Sequence, residues 1–380
     1  MTIELDPTDN DVELVAWAAR FGPTLRAHAE RHDRDASWVD ESFAALRDAG
    51  MLTLGVPAEL GGMGATIRQL ALVQRELARH CGSTALALSM HHHVTAFTAW
   101  RWRRGLPGAE ATLRKVAGGD TVIASTGGGD FTTPRGTATK VDGGYRVSGT
   151  KRFVSQSPVA AVMSTMFTYE DAERGTRVLN MAVPFGDGVT VLDNWDTAGM
   201  RGTASNDVVV DGVFVPDERV LADRPYGVVD PPLQVIVSIA MPIISAVYLG
   251  VAEAAYDAAV EVAMRKAHDP IVQRQVGLMA HRLKVASWAL EGALDEIGDD
   301  PDPSMHRFSV AMTAKREIAL AGIEVCDLAV EVAGGPAFFR GSTIERCYRD
   351  IRAATFHPLR PEQTLVHGGR LALGLPADSL

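Results

Sequence analysis

Cysteine is scarce in this 380-residue chain. The three present, Cys81, Cys326 and Cys347, stand far apart and form no C-x-x-C pair. That excludes a disulfide framework and a cysteine-based zinc site, and it fits a reducing compartment. Basic charge is also short. The 37 Lys and Arg against 47 Asp and Glu leave a net charge of −10, which argues against a nucleic-acid partner, because polyanion affinity needs clustered cations. Arg101, Arg103 and Arg104 are a local exception, expected to be a solvated helix end. The opening MTIELDPTDNDVELV is acidic and carries no basic-then-apolar export signal. The longest apolar stretch, Leu233 to Ala255, is interrupted by Gln234, Pro242, Tyr248 and Glu253. It is expected to be a buried helix and not a membrane span. The expected location is cytoplasmic, with no membrane as partner.

Dinucleotide and nucleotide fingerprints are missing too. Gly127-Gly128-Gly129-Asp130 has the look of a phosphate cradle, but no strand–loop–helix context surrounds it and no Gly-Lys-Ser/Thr follows. Its glycines would still let backbone N–H groups approach a flat ligand. No βαβ alternation occurs, which excludes a doubly wound sheet and a TIM barrel.

What the chain has is three textures. With 46% apolar and 22% charged residues, it is long enough for two or three compact domains. Residues 1–118 show helical spacing: Val39, Phe43 and Leu46, stopping at Gly50; Leu70, Val73 and Leu77, ending at Gly82; then Leu86, Met90 and Val94. Residues 119–224 alternate short Val, Thr and Tyr runs with turn residues. Thr137–Val141 and Tyr145–Val147 across Asp142-Gly143-Gly144 predict a hairpin. Val208–Val210 and Val213–Val215 across Asp211-Gly212 predict another turn between strands. Residues 225–380 return to helices, with Asp299-Asp300-Pro301-Asp302-Pro303 an exposed connector between two long ones. The fold class is α+β, in the order helices, strands, helices.

Several titratable residues stand out. On a helix, His91, His92 and His93 point about 100° apart, so one can face a pocket while the others pack, and a shared metal is disfavoured. His357 precedes Pro358, which confines it to extended backbone; a hydrogen-bonded structural histidine is the plain reading there. Glu362 fits a helix N-terminal charge.

Five segments, spread over most of the chain, together resemble the acyl-CoA dehydrogenase superfamily: Val56-Pro57-Ala58-Glu59-Leu60-Gly61-Gly62; Gly144-Tyr145-Arg146-Val147-Ser148-Gly149-Thr150-Lys151; Gly199-Met200-Arg201-Gly202-Thr203 with Val215-Pro216; Gly334-Gly335-Pro336; and Ile344-Glu345-Arg346 with Tyr348-Arg349-Asp350. The resemblance implies an N-terminal helical domain, a middle β-barrel and a C-terminal four-helix bundle, assembled as a homotetramer. It implies FAD between barrel and bundle. Ser125 and Thr126 would meet the edge of the flavin ring, and Phe153, Val154 and Ser155 would pack beside it. Arg265, with Gln275 as companion, would reach the pyrophosphate of a neighbouring subunit's FAD, and Gly334 and Gly335 would receive its adenosine half. Lys266-Ala267-His268-Asp269 departs from the family's aromatic-Gly pair, so FMN stays open as the cofactor.

The same resemblance leaves the reaction divided. A dehydrogenase of this family removes an α-proton from an acyl thioester with a carboxylate, flavin N5 takes the β-hydride, and an electron-acceptor flavoprotein follows. Counting from Arg349-Asp350 puts Pro358 where that base stands, and the family's other position falls at about Ala240; neither is a base. A four-residue insertion would make Glu362 the base. In the family's monooxygenases, which react with O₂ through a flavin C4a-peroxide, a loop histidine, a histidine of the helical domain and a serine beside the ring take over. His357, His92 or His93, and Ser155 fit those places. Acyl-thioester oxidation by a non-standard base is the expected reaction, with the monooxygenase as the alternative and a flavoprotein without turnover as a third possibility.

Overall fold

In the computed structural model, the described residues are 11–119, 121–127, 130, 131 and 133–379. Residues 1–10 of the acidic N-terminal stretch, and Gly128 and Gly129 of the glycine-rich loop, lie outside them. The first part comprises α1 (Asp11–Ala19), α2 (Gly22–Asp35), α3 (Asp40–Asp48), α4 (Ile67–Ala78), α5 (Gly82–Arg103) and α6 (Ala109–Ala117). The Val39/Phe43/Leu46 spacing became α3, and Gly50 follows it in the left-handed region at φ 83°. α4 starts at a capping box. Thr66 Oγ1 accepts from the Gln69 N–H at 3.2 Å, and Gln69 Oε1 accepts from the Thr66 N–H at 3.1 Å, which satisfies two otherwise unpaired donors. Gly82 opens α5 and does not merely end α4. A Cβ there would lie 2.8 Å from Val251 Cγ2, so glycine is needed for close helix packing. α5 is buried almost all round, the mark of a helix inside a core.

Among the described residues the middle part is one sheet of eight strands: β1 (Ile123–Ser125), β2 (Thr137–Val141), β3 (Gly144–Val154), β4 (Val162–Asp171), β5 (Gly175–Pro184), β6 (Val189–Val191), β7 (Asn206–Pro216) and β8 (Val220–Pro225). The order is β6-β7-β3-β2-β4-β5-β8, with β1 added beside β4. Among the described residues β6 and β8 end the path, so the expected barrel is an open one. Val154, Phe167, Leu179, Val208 and Val215 belong to its apolar core. The β2–β3 hairpin forms as predicted, with Val141 opposite Gly144. The turn expected at Asp211-Gly212 does not form. Both flanking runs belong to β7, whose register against β3 shifts between Val147/Val213 and Gly149/Val210. The extra residues make an irregularity within one strand, of the kind that bends a sheet.

The sheet interior also holds a charge. Lys151 is fully buried; its Nζ donates to Asp130 Oδ2 at 2.8 Å and to the carbonyls of Arg135 and Met166, and it sits 4.2 Å above the Phe167 ring. A buried ammonium is tolerated only when its donors are used in this way.

The last part contains α7 (Pro231–Ala263), α8 (Pro270–Ile297), α9 (Met305–Ala333), α10 (Thr343–Asp350) and α11 (Pro361–Ala372). Asp230, Asp269 and Ser304 cap α7, α8 and α9 through side-chain oxygens, as N-caps do. The predicted buried helix is α7. Within Pro231–Lys266 an 18-residue window does reach the length and apolarity of a membrane span, with a mean hydropathy of 2.3, but 94% of that window is buried within the protein. The acidic connector joins α8 to α9. The arginine cluster is not simply solvated. Arg103 and Arg104 bond Asp300 Oδ1 at 3.0 and 2.8 Å, Trp100 Nε1 donates to the Pro301 carbonyl at 2.8 Å, and Arg101 is buried. Cation and acid, both weakly patterned alone, pair across the fold.

Candidate active site

A cavity of about 470 Å³ lies where α5, the sheet and α7 meet. Its apolar body includes Leu86, Met90, Val94 and Phe97 from α5 and Leu233, Val237 and Ile244 from α7. The Leu86/Met90/Val94 stripe predicted as a helix face is therefore one wall. The sheet contributes hydroxyls: Ser125 at the end of β1 and Thr126 just after it, Ser155 after β3, and Thr203 and Ser205 before β7. β3 ends in unusual backbone, with Phe153 at φ 59° and Gln156 at φ 56°. This left-handed geometry is rare for such side chains, and Phe153 and Ser155 both line the cavity. The Phe153 ring meets Trp195 edge-on at 6.0 Å. Val154 turns instead into the sheet core, where it is fully buried.

Hydroxyl chemistry fixes a direction along this wall. Thr203 Oγ1 donates to the Met200 carbonyl at 2.9 Å, Ser205 Oγ lies 2.7 Å from Thr203 Oγ1, and Ser155 Oγ lies 2.8 Å from Ser205 Oγ. Each hydroxyl has one hydrogen. With the carbonyl at the end of the chain, Ser205 donates to Thr203 and Ser155 donates to Ser205. Ser155 then offers lone pairs to the cavity.

The histidines divide. All three on α5 are buried. His91 bonds the Leu52 carbonyl at 2.8 Å and accepts from the Ile123 N–H at 3.0 Å. His92 bonds the Met51 carbonyl at 2.9 Å, with Gln74 2.9 Å from its Nδ1. Both rings are used up as struts, and His92, a candidate for catalysis, does not line the cavity. His93 does. Its Nδ1 donates to the Ser89 carbonyl at 2.9 Å, which leaves Nε2 with a bare lone pair. Burial pushes His91 and His93 down to about 4 and His92 to about 3, so the rings are neutral.

His357 lines the cavity from the loop after the 3₁₀ turn Ile351–Thr355. Tyr248 OH is 2.7 Å from its Nε2. Lys315 on α9 donates to the carbonyls of His357 and Leu359 at 2.6 and 2.5 Å, fastening the loop. Burial, then the Lys315 charge, pushes His357 down to about 3. Burial raises Tyr248 well above its ordinary value and lowers Lys315 to about 8.

Glu362 does not join them. It is exposed in the first turn of α11, because the chain past Pro358 enters a helix that points it to solvent, and it is not among the residues lining the cavity. The lining includes no Asp or Glu among the described residues, and Ala240 and Pro358 both belong to it. Arg265 is exposed in the turn after α7, Gln275 bonds Glu331 at 2.9 Å, and Gly334 and Gly335 close α9 nearby on the surface; none of the four lines the cavity. Tyr248, Thr203, Ser205 and Trp195 were not anticipated as site residues. Tyr248 did leave a signal, a polar tip inside an apolar run.

A hydroxylated rim over an apolar body, with an aromatic shelf at one side, suits a planar ring with one polar edge. Comparison with known families is consistent with that. Three acyl-CoA dehydrogenase domains match in order, the N-terminal domain over residues 8–102, the middle domain over 124–213 and the C-terminal domain over 242–360. This chain belongs to the acyl-CoA dehydrogenase superfamily. It is a flavin-dependent enzyme of oxidoreductase type. Among curated relatives, the amino sugar nitrososynthase DnmZ of Streptomyces peucetius is 32% identical, across 93% of this chain and 91% of that protein. The L-evernosamine nitrososynthase of a Micromonospora strain is 30% identical across 94% and 89%. A solved structure of KijD3 in complex with FMN and dTDP-3-amino-2,3,6-trideoxy-4-keto-3-methyl-D-glucose superposes with a TM-score of 0.88 at 29% identity, covering 98% of this chain and 95% of that one.

Proposed function

We propose that this superfamily member is a flavin-dependent monooxygenase and not an acyl-thioester dehydrogenase. One observation carries the reading. Among the described residues no carboxylate lines the cavity, and the two positions that the family resemblance gives for a dehydrogenase base, Pro358 and about Ala240, line it without any acid–base group. Removing an α-proton needs a base within hydrogen-bond reach of the carbon. His93 and His357, pushed to about 4 and about 3 by burial, are too weakly basic for that task. They are suited to exchanging hydrogen bonds with a polar reacting group.

The flavin, when bound and reduced, supplies the electrons for O₂ activation. Ser125, Thr126 and Ser155 would hold the ring's polar edge, with Phe153 beside it. His93 Nε2 and Ser155 Oγ accept hydrogen bonds, and the apolar wall from α5 and α7 excludes water. The favoured substrate class is an amine on a sugar nucleotide. Support comes from the nitrososynthase relatives and from electrostatics. A cavity lined by no carboxylate among the described residues offers an ammonium no counter-charge and disfavours it. The amine then binds neutral, with the lone pair that oxygenation requires. The KijD3 complex favours FMN over FAD. A homotetramer completes the reading, supported by apolar side chains left exposed on the bundle, among them Met264, Trp288, Phe338 and Phe339.

The test pairs two assays. Protein supplied with reduced FMN, ¹⁸O₂ and a panel of amino-sugar nucleotides should yield product carrying ¹⁸O. The same protein, flavin-loaded and kept anaerobic, should not be bleached by a panel of acyl-CoA thioesters. Bleaching with no oxygen incorporation would restore the dehydrogenase.

A further inference from the structure

Tyr248 and His357 share a hydrogen bond whose direction decides what the imidazole presents to the cavity. The phenol oxygen lies 2.7 Å from His357 Nε2, and both side chains line the cavity. His357 Nδ1 makes no hydrogen bond among the described residues, and it is not one of the fully enclosed unpaired atoms. The loop carrying His357 is held by Lys315, which donates to the His357 and Leu359 carbonyls. Burial and that ammonium keep a second proton off the ring, so a single imidazole N–H has to be placed.

Two placements exist. If Tyr248 donates its O–H to Nε2, the imidazole hydrogen sits on Nδ1 and is free to meet a ligand in the cavity. If Nε2 carries the hydrogen and donates to the phenol oxygen, the phenol hydrogen is stranded. The small pocket behind it is lined by Ile244, Ile318 and Ala319 together with Ser245 and Lys315. Ser245 Oγ makes no hydrogen bond and the Lys315 ammonium has no lone pair to offer, so the buried O–H finds no acceptor there and loses its hydration without return. The first placement satisfies both hydrogens.

We propose that Tyr248 is a positioning residue that fixes His357 as the Nδ1–H tautomer, making it a hydrogen-bond donor to the cavity. His93 is the complement, its Nδ1 committed to Ser89 and its Nε2 bare. The two imidazoles thus present one donor and one acceptor to the same space. The use of that donor, to bind the oxygen being transferred, rests on the monooxygenase reading; the tautomer itself does not.

The experiment is a solid-state ¹⁵N spectrum of flavin-loaded protein labelled at histidine, with the His357 signals assigned by their loss in His357→Gln. The expected wild-type result is a protonated Nδ1 and an unprotonated Nε2, and Tyr248→Phe should move His357 toward the Nε2–H form. Tyr248→Phe should also lower kcat roughly 10²-fold, within the range a positioned proton donor contributes, leave KM nearly unchanged and divert O₂ to hydrogen peroxide. A wild-type Nε2–H signal, or a tautomer indifferent to Tyr248→Phe, overturns the proposal. Should the variant fail to fold, the wild-type spectrum alone decides. If ¹⁸O₂ is not incorporated while the tautomer is as expected, the monooxygenase reading falls and the assignment of Tyr248 stands.

Discussion

Two adjacent histidines on one helix do different work, and the difference can be measured. His92 ties α5 to the Met51 carbonyl and to Gln74, whereas His93 faces the cavity. His92→Asn should cost about 1–3 kcal/mol, the penalty of leaving buried partners unpaired, while turnover per folded molecule persists. His93→Asn should keep the melting temperature and lose roughly 10²-fold in kcat. Melting curves beside steady-state rates separate the two. The sequence limited the triplet to one cavity-facing ring, because 100° steps allow no more, but its choice between His92 and His93 needed the helix's rotation. That rotation is set by Leu52, Met51 and Ser89 carbonyls that lie elsewhere in the fold or one turn back.

The three buried rings of α5, with the half-buried His357, govern acid stability. His91, His92, His93 and His357 are pushed by burial from 6.5 to about 4, 3, 4 and 3. The unfolded chain therefore binds their protons first. Their contribution is complete above about pH 6.5 and is lost as the pH falls toward 3 to 4, because stability rises with pH wherever the unfolded state holds more protons. Asp350 opposes them. Burial raises it from 3.8 to about 6, so its contribution is present below its unfolded value and is lost as the pH rises through 6. Four histidines outweigh one carboxylate, and urea unfolding free energies measured from pH 7 to pH 4 should fall steeply.

At the scale of elements, close approach explains what periodicity did not. Gly250 lies inside α7, where a Cβ would come 2.1 Å from the Arg75 carbonyl of α4. Gly250→Ala should therefore destabilise by about 1–3 kcal/mol, as overpacking does, despite alanine's better helix propensity. Denaturant titration checks this. Lys151→Met is a different case. It leaves Asp130 buried without its cation, and losing one partner of a buried pair costs about 3–5 kcal/mol. The helices, the hairpin at Gly143 and the acidic connector were legible from local pattern alone. The continuity of β7 was not, since Asp-Gly signals a turn equally well as an irregularity within a strand, and only pairing with β3 and β6 decides. Glu362 lies at an exposed helix start outside the cavity, and an insertion count alone cannot say which way a helix start will face.

For the whole molecule, the order of helical, strand and helical parts was readable because each has its own period, and the superfamily followed from short segments spread along the chain. The chemistry was less legible. It depends on which side chains from four separate segments line one cavity, and the feature that carries the proposed reaction is that no carboxylate among the described residues lines it. Whole-molecule behaviour yields a further expectation. If the exposed Met264, Phe338 and Phe339 are covered by other copies, light scattering after size exclusion should give about four chains per particle. Phe339→Asp should shift it to smaller species; an unaltered monomeric mass in the parent protein would contradict the assembly.

α7 is as greasy as a bilayer anchor, yet α4 and α5 on one side and α8 and α9 on the other keep it dry. Cutting the gene between the sheet and the bundle would strip away the first pair. The liberated half should need detergent or precipitate, so this protein resists being studied in pieces, and tags or fusions belong at its two ends.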